Sequence, residues 1–433
     1  MANDPGYVSA DEAMARIRSG DTVAAGLATG EPPALLEALG RRTDLESVTL
    51  YGALFTRPYP ILTRPGVRVL SGFFGPIERM ARAAGADIEY LPADFIGLEQ
   101  LALTLKPRAV LAATTVPDAD GFVSFGVHAG ATYKAFVEAA RDPARVAIAA
   151  CNPNMPWLDG FDHLGGHRIH VSELDAIVLD ESEIFALPAS EPSDVERAIA
   201  RNAEAVIEEG SCLQFGIGAV PDEIARLLAA GPKRGFSIHS EMISDGVKAL
   251  HESGSVTNRK DLYDGFTVAT FALGSSDLYR WLDHNSAVRI APVSAVNDVG
   301  LIRRLSKFVS VNAALAIDLR GQVVADYIGG HQYSGIGGHE MFIMAATECA
   351  NGKSLLCMPS TATVNGKRVS KIIPAVGPDA TVTTPRQHVQ YVVTEHGAAD
   401  ISALGDRSRP AALIELAAPE FRDRLREEAK KLV

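Results

Sequence analysis

Short apolar runs recur along the first half of the chain, at 48–54, 67–70, 88–91, 109–113 and 145–150. Helix-like segments separate several of them, as at 76–84 and 131–141. Near-continuous apolar strands that alternate with helices predict a mostly parallel sheet covered on both faces. Local punctuation agrees. Ser9 and Glu12 form a capping-box pattern that opens a helix over 10–17. A strand over 20–26 then runs into a loop of small residues. Pro32 and Pro33 start the next helix, over 34–41, with proline in the tolerated first turn.

The same opening returns farther on. Residues 19–30 followed by Pro32 have a counterpart in 209–220 followed by Pro221: a helix end, a strand, a glycine-bearing loop, then proline opening an amphipathic helix. The polar stretch 189–194 contains proline and precedes a long helix over 195–209, so it reads as a linker. The expected architecture is an α/β fold of two related open α/β domains with mostly parallel sheets, at 1–188 and 193–433.

In the second half, 235–238 reads as a buried strand and Glu241 stands where it ends. Ser244, Asp245 and Gly246 supply turn chemistry before a helix-like 247–250. A carboxylate at the carboxyl end of a buried strand sits where open α/β sheets place their sites; a cap or turn partner is the alternative for a lone Glu. Gly216-Ile217-Gly218 joins a strand to a helix starting at Pro221. Its glycines allow close backbone approach, and a helix amino end offers unpaired N–H groups to an anion. Tight strand-to-helix packing explains the same glycines. A Rossmann site is disfavoured, because the third glycine and the acidic residue about twenty positions on are missing. Further strands are expected at 266–273, 288–291 and 308–314, and Asn297 reads as a cap for a helix over 298–305. The loop 329–338 is the densest in glycine, and its backbone suits a nest of N–H groups. His339-Glu340 is no zinc motif, since no His follows at helical spacing. Residues 411–433 read as one charged amphipathic closing helix.

Composition narrows the function. At 433 residues, with 47% apolar and 22% charged residues, the chain is an ordinary globular protein of two or three cores. A formal charge of −12 argues against nucleic acid as a partner, because phosphate binding needs a basic surface. Residues 1–6 carry no signal-peptide pattern, and no apolar run reaches the ~20 residues that span a bilayer. Cys151, Cys212, Cys349 and Cys357 are scattered without metal spacing and fit buried thiols in a reducing cytosol. No metal is expected.

The run Ile238-His-Ser-Glu241-Met-Ile-Ser-Asp-Gly246 resembles the active-site signature of the acetyl-CoA hydrolase/transferase family, in the branch that includes 4-hydroxybutyrate CoA-transferases. The resemblance extends over essentially the whole chain. It takes in Pro117–Gly126, Asn152–Pro156, 169–175, 295–298, 310–319, 353–362, 370–374 and 389–400. It implies a CoA-transferase-like fold of two such domains, the second carrying the nucleophile, and a homo-oligomer, dimeric by analogy. It assigns the nucleophile to Glu241 and the oxyanion site to Asn297. CoA contact falls on Gly216, Ile217, Gly218, Ala219, Val220 and Asn312, and Gly335, Gly337 and Gly338 line the thioester. Lys353 is a candidate for a CoA phosphate, with a solvated surface lysine as the other reading. Glu395 and His396 look like an acid/base pair but sit among structural signatures. One departure concerns acyl specificity: many members follow the glycine loop with Gln-x-Asp-Phe, whereas this chain has His339-Glu340-Met341-Phe342.

The activity so implied moves CoA between a short-chain acyl-CoA and a small carboxylate such as acetate, through a glutamyl-CoA thioester in ping-pong fashion. CoA is substrate and covalent intermediate, expected between the two halves, and no cofactor is permanently bound. Two other readings stand beside it: an acyl-CoA hydrolase on the same scaffold, and a non-catalytic CoA-binding regulator.

Overall fold

In the computed structural model the described residues are 6–188 and 191–432. Residues 1–5, Ala189 and Ser190 of the expected linker, and Val433 lie outside them. The chain divides into two compact units: Met1–Pro188 with Val268–Val296, and Ala189–Thr267 with Asn297–Val433.

The first unit is built on a parallel sheet. Its strands, in chain order, are β1 (Thr22–Ala25), β2 (Val48–Gly52), β3 (Val67–Ser71), β4 (Ile88–Tyr90), β5 (Ala109–Thr115), β6 (Val146–Asn152) and β7 (Ala176–Leu179). They lie in the order β4-β3-β2-β1-β5-β6-β7, with every neighbouring pair parallel. The order reverses between β1 and β5, which is the switch point of a doubly wound sheet. β5 and β6 are buried at every position, so they are apolar from Ala109 to Ala113 and from Val146 to Cys151 rather than alternating, with the buried polar residues Thr114, Thr115 and Asn152 at their carboxyl ends. Met14, Leu35, Leu39 and Phe74 join Leu50, Val69, Leu111 and Ile148 in one core. Each such side chain contributes about 1.5–3 kcal/mol when fully buried.

The segment Val268–Val296, expected in the second domain, belongs to the first unit. Backbone pairing explains this. Ala129 N donates to Thr270 O at 2.8 Å, Ala272 N to Val127 O at 2.8 Å, Leu187 N to Gly274 O at 2.9 Å and Ile290 N to Asp159 O at 3.0 Å. At its start the expected strand over 266–273 breaks into Thr267–Ala269, whose first residue still belongs to the second unit, and Phe271–Ala272.

The second unit carries β8 (Cys212–Phe215), β9 (Ser237–Ile238), β10 (Phe308–Ala313), β11 (Lys353–Cys357), β12 (Tyr391–Thr394) and β13 (Gly397–Asp400). Their order is β9-β8-β10-β11-β12-β13, parallel except for the edge hairpin β12–β13. The switch point here lies between β8 and β10. β9 is shorter than the expected 235–238, and Gly235 takes a φ of 78°, outside strand geometry. The helix before β8, Asp194–Glu204, opens on a full capping box between Ser193 and Glu196. The expected closing helix is two helices, Ser408–Glu415 and Pro419–Ala429. Pro419 has no N–H to continue a helix and instead opens the next first turn.

Candidate active site

Glu241 lies on a bend just beyond β9, at the carboxyl edge of the second sheet. The two residues before it fix its origin. His239 N donates to Leu213 O at 3.1 Å. Ser240 Oγ accepts from Phe215 N at 3.2 Å and donates to Phe215 O at 3.3 Å. The turn after it is fixed as well. Asp222 Oδ1, on the helix Ala219–Ala230, accepts from Ser244 Oγ at 2.5 Å and from Gly246 N at 3.2 Å. Gly246 must be glycine for this approach, since a Cβ there would stand 2.8 Å from Ala225 Cβ and Asp222 Oδ1.

Asn297 comes to Glu241 from a distant part of the chain. Its Nδ2 donates to Glu241 Oε2 at 2.7 Å, and the residue is fully buried. The cap reading falls to its neighbour: Asp298 Oδ1 accepts from Leu301 N at 2.8 Å and caps Val299–Ile302. Gly338 closes the third side. A Cβ on Gly338 would meet Glu241 Oε2 at 2.1 Å, Asn297 Nδ2 at 2.4 Å and Phe342 Cε2 at 2.9 Å.

Burial pushes the Glu241 carboxyl up to about 7, against the lowering effect of the Asn297 amide and the Gly338 backbone N–H. Ionising it here costs about 3 kcal/mol more than in water. The outcome is a carboxyl poised at neutral pH, held in one orientation by two neutral donors. The four cysteines offer no rival nucleophile. All are buried, and burial raises Cys151 to about 11 and Cys212, Cys349 and Cys357 to about 12.

The expected CoA contacts are partly gathered at the same edge. Gly216 follows β8 directly, Ile217 is 44% exposed, and Gly218 with a φ of 137° precedes a helix that starts at Ala219, two residues earlier than expected. Val220 is buried in that helix. Asn312, near the end of β10, donates from Nδ2 to Gln214 Oε1 at 3.2 Å, and its Oδ1 lies 3.6 Å from where a Gly216 Cβ would be. These residues flank the β8–β10 switch point. Gly335 and Gly337 belong to the loop that delivers Gly338. Lys353 does not join them. It starts β11, at the amino edge, and its Nζ donates to Glu208 Oε1 at 2.6 Å and Val206 O at 3.0 Å. A five-residue strand is roughly 16 Å long, so its ends face different surroundings. Glu395 is also committed elsewhere, accepting from Ser360 N at 2.9 Å and Ser360 Oγ at 2.6 Å.

Three features escape sequence reasoning: Asp222 as the tie between the glycine loop and the Glu241 turn, Asp326 beneath the second glycine loop, and Glu340 bonded to His388. Only a pairing across 22 to 57 residues would reveal them, and nothing local in the sequence carries that signal. In the first unit, the singled-out loops around Pro117 and Asn154 line one cavity of about 1080 Å³ together with Trp157 and His284. Among the described residues there is no cluster of three or more potential metal ligands, and no helix is long and apolar enough to cross a membrane.

Comparison with known proteins gives this arrangement a context. Residues 274–429 match the acetyl-CoA hydrolase/transferase C-terminal domain. The chain is 37% identical to a 4-hydroxybutyrate coenzyme A transferase of Clostridium kluyveri, over 98% of this chain and 97% of that one. The chain belongs to the acetyl-CoA hydrolase/transferase family. Among solved structures of this family's fold, RipA from Yersinia pestis superposes with a TM-score of 0.90 at 32% identity, covering 99% of this chain and 98% of that one. The hydrolase side of the family is more remote: an acetyl-CoA hydrolase of Eremothecium gossypii is 24% identical over 72% of this chain and 64% of its own length.

Proposed function

We propose that the chain is an acyl-CoA:carboxylate CoA-transferase in which Glu241 is the nucleophile. The observation that carries this reading is the convergence of Glu241, Asn297 and Gly338: one carboxyl poised near neutral pH, one amide on its Oε2, and one glycine with no room for a side chain.

With Oε2 held by Asn297, the other oxygen of the ionised carboxylate attacks the acyl-CoA carbonyl. The carbon–sulfur bond breaks, CoA leaves as thiolate, and a mixed anhydride remains on Glu241. The thiolate attacks the Glu241 carbonyl of the anhydride, the first acid departs as its carboxylate, and a glutamyl-CoA thioester is left. A second carboxylate attacks that thioester and the steps run backwards, so no net proton or electron is needed. Each tetrahedral intermediate carries an oxyanion, for which the Asn297 amide and backbone N–H groups of the Gly335–Gly338 stretch are fixed donors. The glycine loop at Gly216–Val220 and Asn312 take the CoA moiety, whose binding helps bring the thioester into place. Lys353 is not part of this reading. The acid is a small carboxylate such as acetate and the donor a short-chain acyl-CoA. The reading extends to a cytosolic homodimer with no permanently bound cofactor, and light scattering on the purified chain tests the dimer.

Transfer is favoured over hydrolysis by the apolar surroundings of Glu241. Phe236, Ile238, Met242 and Ile243 are all buried beside it in sequence, and exclusion of water suppresses leakage from the intermediate. The deciding experiment incubates the enzyme with acyl-CoA, traps with borohydride and maps the adduct by mass. It is expected on the Glu241 peptide and absent in Glu241→Gln. New thioester should form only when an acceptor acid is present. Free CoA released at one rate with or without acceptor, and no new thioester, would establish a hydrolase instead.

A further inference from the structure

The glycine loop that meets Glu241 has little of its own to hold it. Gly329, Gly330 and Gly337 take positive φ, and the loop leaves a two-residue hairpin, Tyr327–Ile328 against His331–Gln332. Glycine-rich backbone has the most conformational freedom to lose on ordering. Yet Gly338 has no tolerance for displacement, because Glu241 and Asn297 already occupy the space where a Cβ would be. Its position must come from neighbours.

Both ends of the loop are tied to one short segment, 383–388. At the entrance, Asp326 is buried, and its carbonyl accepts from Tyr333 N at 2.7 Å and Ser334 N at 3.2 Å. Its carboxylate accepts from Gln332 Nε2 at 3.2 Å and from Thr383 Oγ1 at 2.5 Å. The Thr383 hydroxyl also accepts from Ala325 N at 2.8 Å, which leaves its proton for Asp326 and fixes its polarity. Gln332 Nε2 reaches on to Ser334 O at 2.7 Å, so the Asp326 network grips the chain just before Gly335. At the exit, two residues past Gly338, Glu340 Oε1 bonds His388 Nδ1 at 2.6 Å. Burial raises the Glu340 carboxyl above its ordinary value, against the lowering effect of the His388 imidazole. Thr384 is fully buried, and His388 N donates to Pro385 O at 3.0 Å, so the segment is itself a closed turn.

We propose that 383–388 is a clasp that sets the glycine loop against Glu241, with Asp326, Thr383, Glu340 and His388 as positioning residues for acyl transfer. The proposal rests on the reading of Glu241 as nucleophile. In the clasp, Glu340 anchors the helix His339–Glu348 to His388. His339 is held neutral by burial, with its pKa pushed down to about 4, and its charged neighbour is Asp326. Around Glu241 itself, the groups acting on its titration are the Asn297 amide and the Gly338 N–H; no charged side chain among the described residues is one of the causes.

The test uses Thr383→Val, which keeps shape and removes the hydroxyl, with Thr383→Ser as its rescue, and His388→Gln at the other end. A misplacement near 1 Å costs on the order of 100-fold, so kcat for transfer in Thr383→Val is expected to fall about 10- to 100-fold, with KM for acyl-CoA changing less than about twofold. Losing the Gly338 N–H raises the Glu241 pKa, so the acid limb of the kcat/KM profile moves to higher pH by about half a unit or more. Thr383→Ser restores both, and His388→Gln shows the same direction. A purely structural role would lower the melting temperature without moving that limb. Wild-type kcat and an unmoved limb in folded Thr383→Val and His388→Gln overturn the clasp, as does a loss that Thr383→Ser fails to repair. If the wild-type enzyme forms no Glu241 thioester at all, the nucleophile reading fails instead, and trapping that adduct first separates the two failures.

Discussion

In the first unit the chain beyond β1 brings Glu31 past the carboxyl end of its strand; in the second, the chain beyond β9 brings Glu241 past the end of its own. Each carboxyl is pushed up by burial, Glu31 to about 8 and Glu241 to about 7. Their oxygens differ. Glu31 is 4% exposed, and Thr56 N donates to both of its oxygens at 3.1 and 3.2 Å. Its Oε2 takes the Thr56 hydroxyl and, at 3.0 Å, the Tyr59 phenol as well. Glu241 has one amide, one backbone N–H and a partly open side. A raised pKa therefore does not by itself identify a nucleophile. A carboxyl saturated with donors is a structural post, and one held by two donors beside a glycine is free to react.

The strongest test of that contrast replaces each carboxyl with its amide. Glu241→Gln should lower transfer by roughly 10⁴-fold or more, as nucleophile removal does, while Glu31→Gln should retain transfer within about tenfold. A steady-state assay decides, and the reverse ranking would break the comparison. Next come the glycines. Gly338→Ala should cut kcat by about 100-fold or more with the fold intact. Gly26→Ala should act on stability, because its Cβ would stand 2.1 Å from Gly30 O; a loss of about 2 kcal/mol is expected in denaturant unfolding.

The pH dependence sharpens the same point. Glu241 must be ionised to attack, so kcat/KM should rise with pH through a limb near 7 and level off above it. Glu31 reports in stability instead. Its folded pKa lies above the unfolded carboxyl value, so the folded state holds the extra proton between about pH 4.5 and 8. Stability attributable to it is present below that window and is lost as pH rises through it, by on the order of 5 kcal/mol. Glu31→Gln should flatten the unfolding free energy across that window, leaving the kinetic limb in place. The smallest effect belongs to Lys353→Met. Its ion pair with Glu208 lies at the other end of the strand from the site, so KM for acyl-CoA should stay within about twofold and stability within about 1 kcal/mol.

The two units also differ in how readable they are. β5 and β6 are legible because strands buried on both faces are apolar over most of their length. The opening of each unit is legible because proline and glycine bound its strand and helix. Glu241 is legible through its signature and through its place after an apolar strand. The excursion Val268–Val296 is not, since it pairs with residues 87 or more positions away in the rest of its unit and its own sequence resembles any short strand and helix. Nor is the end of β9, where Gly235 and the bend at Glu241 leave a strand of two residues.

The sequence by itself determined the alternation of strands and helices, the two-fold recurrence of the opening pattern and the residue that stands at the end of β9. These depend on local periodicity and on backbone chemistry within a few residues. Tertiary structure alone decided that Asn297 faces Glu241 while Asp298 caps the helix, that Lys353 starts its strand at the edge away from the site, and that Thr383 and His388 hold the two ends of the glycine loop. Each of those outcomes turns on which way a side chain points and on a contact across 40 residues or more of chain, or on which end of a strand a residue occupies. Hydrophobic patterning places elements, but only the packed sheet fixes their ends and the directions of the polar side chains upon them.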